Sequence, residues 1–338
     1  MSLSHNLKVL GVTAVLGALI SADGIAGNDT IIKIDGSSTM YPITEAVAKK
    51  FQTAQKDAIK VTVGISGTGG GFKKFCRGEI DIVNASRPIQ RTEMKACSKA
   101  GVQYVELPVA FDALTVVVNP KNTWSKTMTV AELKKMWEPA AQGKIIKWNQ
   151  VNPAWPDETF KLYAAGPDSG TLDYFTQAIV GKAKSSRGDF TASEDDNILV
   201  QGVANDKNAL GFFGFGYYVE NQDKVSAVAV DDGRNGGVIP SVETVEDGTY
   251  QPLSRPIFIY VNMKAAEKPE IKAFVAFYMK NASALVRGFQ YFPLPPRAYA
   301  ANMEFFKTKR LGTVFDGFLP VDITIDDLIK REARFYEN

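Results

Sequence analysis

The chain has 338 residues, a formal net charge of +2, and a composition that is 45% hydrophobic and 22% charged. That length supports two domains of ordinary size, each with its own core. The near-neutral balance excludes a broad nucleic-acid surface, which needs a strong basic excess, and there are no long charge blocks, low-complexity tracts or short-period repeats.

The first element is set apart from the rest. Lys8 precedes the short apolar run Val9 to Ile20, which small residues follow. This pattern predicts a secretory signal peptide over 1–27, too short for a stable membrane span, with cleavage after Ala22, Ala26 or Gly27. No cysteine lies near that region, which argues against a lipid anchor. The mature protein is therefore expected to be exported, periplasmic or otherwise extracytoplasmic, and soluble. Cys76 and Cys97 are the only cysteines, and an oxidising compartment would let them join. Such a loop is worth roughly 3 kcal/mol; the alternative is two separate buried thiols. Zinc is poorly supported by two cysteines without a nearby histidine.

From Ile31 the chain alternates. Strands are predicted over 31–35, 61–65 and 80–83, with helices over 42–55, 71–77 and 92–99. This rhythm predicts a parallel sheet, with ligands at the carboxyl ends of its strands. The strand-forming run 103–118 exceeds a usual strand and contains Pro108 and Asp112, so it reads as two strands, the chain passing between domains near 109–113. Beyond it come a helix over 130–137, a strand over 160–164, helices over 172–180 and 195–205, and strands over 209–213 and 257–261. The segment Pro252-Leu253-Ser254-Arg255-Pro256 reads as a second crossing. Helices over 269–280 and 324–335 close the chain, Thr324 and Asp327 forming a capping-box pattern. The expected architecture is α/β and two-lobed, with lobe 1 from 28–110 plus 255–338 and lobe 2, over 111–254, inserted into it.

Three strand-to-helix turns carry the chemistry: Gly36-Ser37-Ser38-Thr39, Ser66-Gly67-Thr68-Gly69-Gly70-Gly71 and Asp168-Ser169-Gly170-Thr171. Each presents N–H groups at the positive end of a helix dipole, which suits an anion. The bland alternative is ordinary N-capping, for the first turn and for Asp168 alike. The second turn is stronger, because a plain turn does not require four glycines. It is not a nucleotide P-loop, since no Gly-Lys-Ser/Thr triplet follows. Arg87 is the expected fixed charge, against a surface ion pair as its usual fate. Lys73, Lys74 and Arg77 read as a solvated helix face, and Asp195 and Asp196 as a helix start. The single histidine, His5, falls in the signal segment. Histidine-based nucleophilic or metal chemistry is thereby excluded from the mature chain.

These turns, with Ala85-Ser86-Arg87-Pro88-Ile89, Ala209-Leu210-Gly211-Phe212-Phe213-Gly214 and Pro252-Leu253-Ser254-Arg255-Pro256, resemble the phosphate-binding proteins that serve phosphate ABC transporters. The likeness runs from about Ile31 to the C-terminus. It implies a hinged periplasmic binding fold of type II that closes on one phosphate ion, without cofactor, metal or chemical step. Partners would be inorganic phosphate and the transporter permease, with the receptor a monomer. Carried over by position, the resemblance implies Thr39 (or Ser38), Thr68, Ser169, Gly170 and Thr171 as donors, and the expected shell adds Ser38, Gly69, Arg87 and Asp168. Well-known members carry an aspartate where this chain has Arg87, and an arginine where it has Ala165. The expectation is an exchange, with Arg87 as cation and Asp168 accepting the proton that phosphate retains and sulfate lacks. Other readings are a receptor for sulfate, arsenate or molybdate, a secreted phosphatase-like hydrolase, or a surface protein that reused the fold.

Overall fold

Alternating strands and helices open the described chain, as the hydrophobic pattern requires. The structure, a computed structural model, describes residues 30–337; the segment read as a signal peptide lies outside them. Three βα units come first: β1 (Thr30–Gly36), α1 (Tyr41–Ala54), β2 (Ile59–Val63), α2 (Gly67–Cys76), β3 (Ile82–Ala85) and α3 (Arg91–Lys99). β1 pairs in parallel with β2 and with β3, the arrangement expected of that rhythm. The bridge between Cys76 and Cys97 ties the end of α2 to α3.

β4 (Tyr104–Val118) is one continuous strand, not two. All of its residues are buried, which explains the unbroken apolar run. Pro108 is accommodated by a bulge: the register against the neighbouring strand shifts at this point and leaves Val109 unmatched. The side chains of Asn302 and Tyr299 donate to the carbonyls of Pro108 and Val109 there.

The second lobe holds β5 (Thr127–Thr129), α4 (Val130–Trp137), α5 (Trp148–Val151), β6 (Lys161–Ala165) and α6 (Gly170–Phe175). β7 (Thr191–Ser193), α7 (Asp196–Ala204), β8 (Ala209–Gly214) and α8 (Phe215–Glu220) follow. β9 (Ser226–Ala227), β10 (Ala229–Asp231), β11 (Gly237–Val238) and α9 (Val242–Glu246) lead to the return strand β12 (Ser254–Asn262). The chain then finishes with α10 (Pro269–Gly288), β13 (Phe292–Pro293), α11 (Pro296–Lys307) and α12 (Ile325–Glu337). α10 runs past the expected end at 280, because Ala282, Leu285 and Val286 continue its buried stripe and no breaker comes before Gly288. Thr324 and Asp327 make the reciprocal bonds of a capping box. The rings of Phe335 and Phe315 under Arg310 and Arg331 fasten α12 to the first lobe.

The strands lie in the order β2-β1-β3-β12-β4-β8-β6-β7. β4 is the seam of this sheet. Up to Ala113 it pairs with β12, and from Leu114 it pairs with β8. The chain therefore changes lobes on two adjacent antiparallel strands, at Ala113–Leu114 going out and at Ser254 coming back. Each lobe has its own aromatic packing, Phe51 against Phe274 in one and Trp137, Phe175 and Phe212 in the other.

Candidate functional site: an interlobe oxyanion cage

Gly36 ends β1, and Ser37, Ser38 and Thr39 turn the chain into α1, all three buried. Met40 occupies the cap position of α1, with no side-chain cap bond. The hydroxyls of Ser38 and Thr39 are thus not occupied in capping. Both instead face lobe 2, Ser38 Oγ lying 3.5 Å from Asp196 Oδ2 and Thr39 Oγ1 3.3 Å from Thr171 Oγ1.

The glycine run is not a loop ahead of the second helix but its first turn, since α2 begins at Gly67. Its main service is to the opposite lobe. Gly67 has φ +72°, and a Cβ there would lie 2.5 Å from the carbonyl oxygen of Asp168. Gly69 N donates to that same carbonyl at 2.7 Å. The glycines therefore let backbone meet backbone across the cleft. Thr68 is the member that looks inward: its Oγ1 accepts from Ser86 N at 3.1 Å and lies 3.1 Å from Ser86 Oγ. From lobe 2, Gly170 comes so close that a Cβ would sit 2.5 Å from Thr68 Oγ1 and 2.6 Å from Ser86 Oγ. Ser169 Oγ, and not Asp168, caps α6 by accepting from Thr171 N at 3.0 Å.

The cation at the centre is Arg255, fully buried on β12 where the chain crosses between lobes. Its Nε and Nη2 donate to Asp112 Oδ2 on β4 at 3.1 and 2.8 Å. Nη2 also reaches Thr171 Oγ1 at 3.0 Å and Thr39 Oγ1 at 3.3 Å, while Nη1 donates to Gly170 O at 3.2 Å. One guanidinium thus gathers hydroxyls from both lobes. Asp112 is itself held by Phe215 N at 3.3 Å.

Asp196, read from sequence as a helix start, is fully buried and its Oδ1 has no hydrogen-bond partner. Asp195 provides the actual cap of α7, accepting from Asn197 N at 2.9 Å. Burial pushes the Asp196 carboxyl up to about 7, against the pull of Arg255. A desolvated carboxyl with a vacant oxygen, beside Ser38, is what a ligand hydroxyl requires.

Two expectations need correction. Arg87 is buried, but carboxylates take it up. Its Nε donates to Asp173 at 2.7 Å, Nη1 to Glu93 at 2.8 Å and to Pro88 O at 3.0 Å, and Nη2 to Glu93 at 2.7 Å. Burial alone would lower its pKa, but Glu93 and Asp173 outweigh that and raise it, so it stays a cation. Asp168 is the second. Its carboxylate is partly exposed and faces Lys73 Nζ at 2.7 and 2.9 Å, so Lys73 is a cleft residue and not merely a solvated helix face. The buried acid beside the Ser38 hydroxyl is Asp196, and the buried cation beside those of Thr39 and Thr171 is Arg255. A positional carry-over misses both, because partners distant in the chain define them. A signal was nonetheless present: Arg255 is the one charge in β12, and Asp112, with Glu106, is one of two in β4, strands that otherwise read as fully buried. A separate cavity of 760 Å³ lies on lobe 1 around Arg77, Asp81, Lys268 and Lys309. There Lys268 pairs with Asp81, and Lys309 with Glu267.

A family model described as a PBP superfamily domain matches residues 21–282. The chain belongs to the PBP superfamily. Among its relatives is Protein SphX of Synechococcus elongatus, 51% identical over 325 residues that make up 96% of each chain. The phosphate-binding protein PstS of Staphylococcus saprophyticus is 35% identical over 307 residues, 88% of this chain and 93% of that one. A solved structure from Clostridium perfringens, named as a phosphate ABC transporter substrate-binding protein with bound phosphate, has a TM-score of 0.66. It is 25% identical and the match spans 79% of this chain and all of that one. Within this PBP architecture, the cage occupies the seam between the two lobes.

Proposed function

We propose that this chain is an extracytoplasmic receptor that captures inorganic phosphate between its lobes and hands it to an ABC transporter, with no chemical step. The observation that carries this reading is Arg255, a buried guanidinium on the crossing strand that draws hydroxyls from both lobes. Hydroxyl-rich, neutralised surroundings suit a tetrahedral oxyanion, and the names of the relatives point to phosphate among such anions. The apolar N-terminal run supports export. Among the described residues, no helix is long and apolar enough to cross a membrane.

In this reading the shell comprises Ser38, Thr39, Thr68, Ser86, Gly170, Thr171 and Arg255, with Asp196 accepting the proton that phosphate retains. Oxygen atoms of the ion take over the hydrogen that Thr39 and Thr171 now share, and the Nη2 hydrogens divided among three acceptors. Titration calorimetry tests the proposal. Wild-type protein is expected to bind phosphate and to discriminate strongly against sulfate at pH 8. Arg255→Lys keeps a charge opposite Asp112 but loses the guanidinium fork, and its phosphate affinity should fall by roughly ten-fold or more. No heat from phosphate with the wild type, or an affinity unmoved in the lysine variant, would remove Arg255 from this role.

A further inference from the structure

We infer that Arg87 and Asp173 form a clasp, a positioning pair that sets how long the closed cleft keeps its anion without touching it. The inference rests on the phosphate reading for its ligand, but its geometry is independent of the cage. Arg87 leaves β3 directly after Ser86, on lobe 1. Asp173 lies on α6 of lobe 2, two residues beyond Thr171. Their bond, Nε to Oδ2 at 2.7 Å, crosses the cleft with both side chains fully buried.

The clasp has a fixed half and a moving half. Glu93 grips the other edge of the guanidinium through both its oxygens, and also accepts from Gln90 N at the start of α3. The Cys76–Cys97 bridge ties α3 to α2. Arg87 is thus oriented by its own lobe before any closure. Asp173 is brought to it only when α6 swings in with Gly170 and Thr171. Its second oxygen has no hydrogen bond, and Lys184 Nζ lies 3.9 Å from it.

Opening must break the Arg87–Asp173 bond while both groups are still dry, before water can replace it. Capture by the open form meets no such step. The pair therefore acts on release more than on association, as buried charge pairs across interfaces generally do. The partly exposed Lys73–Asp168 pair at the rim lacks this property, because water screens it in either state.

Stopped-flow measurement with inorganic phosphate separates these rates. Asp173→Asn preserves shape and leaves Arg87 paired with Glu93. It should release phosphate roughly ten-fold faster, with the association rate nearly unchanged. Asp168→Asn should change neither rate appreciably. Arg87→Lys, which keeps the charge and loses the fork, should follow Asp173→Asn; thermal unfolding of each ligand-free variant reports whether the fold survives. Release at the wild-type rate from folded Asp173→Asn would overturn the clasp. So would loss of binding at Arg87→Lys with Asp173→Asn unaffected, since that marks Arg87 as a direct ligand. Failure of wild-type protein to bind phosphate would instead refute the ligand assignment. The clasp is then judged by small-angle scattering of ligand-free protein: Asp173→Asn should be more extended than wild type, and equal dimensions would overturn it.

Discussion

Asp196 holds the most chemical information of any single residue in the cage. Phosphate keeps a hydrogen throughout the neutral range, so an ionised Asp196 can accept from it and repels sulfate. Once protonated, the same carboxyl becomes a donor and loses its objection to sulfate. With the carboxyl pushed up to about 7, selectivity for phosphate should therefore fall as pH drops from 8 to 5. Asp196→Asn should show weak selectivity at both pH values; competition calorimetry with sulfate checks this, and a flat wild-type profile would contradict the role. Stability should follow the same titration. An acid whose folded pKa lies above its ordinary value favours the fold below that ordinary value and opposes it progressively as pH rises. The ligand-free protein should thus melt lower at pH 8 than at pH 5, with Asp196→Asn flattening part of the slope. Glu106, which burial also pushes up to about 7 despite bonds from Tyr260 and Val314, acts in the same direction, as do Asp173, Glu194 and Glu332, which burial raises too.

At the scale of elements, much was legible. The turns before α1, α2 and α6 stand out because glycine and hydroxyl residues interrupt clear hydrophobic periods, and Thr39, Thr68 and Thr171 do lie together. What pattern alone does not carry is pairing at long range. Arg87 and Arg255 both read as arginines near strand ends; only the fold decides that Glu93 and Asp173 claim one while Asp112 leaves the other facing the hydroxyls. β4 reads as two strands because the run is longer than a usual strand and holds a proline, and the bulge at Val109 that absorbs it shows only in the register against β12. The Cys76–Cys97 bridge is an element-level device too, since it fastens the helix carrying Thr68 to the helix carrying Glu93. Replacing both cysteines with serine should lower unfolding stability by about 3 kcal/mol in urea titrations. An unchanged midpoint and slope would mean that packing alone holds these helices.

For the molecule as a whole, the interlobe contacts described here belong to a closed form. Gly69 bonded to the Asp168 carbonyl, Thr39 beside Thr171, and Arg87 on Asp173 all span the cleft at once. A ligand that binds only when both lobes touch it should shift the population toward this form. Small-angle scattering of wild-type protein is expected to show a smaller radius of gyration with phosphate than without, and identical curves would argue against hinge closure.

The position of Arg255 has a consequence for the order of events. Because it sits with Asp112 on the two strands that cross between lobes, it lies close to the axle about which they turn, and points on an axle travel least. On the phosphate reading, the charge that greets the anion is consequently expected to stay in place whether the jaws are apart or together. An incoming ion can settle on this stationary post first, and the hydroxyls of Thr39 and Thr171 then arrive from either side. On that reading, recognition is expected to run in sequence, with charge read before shape.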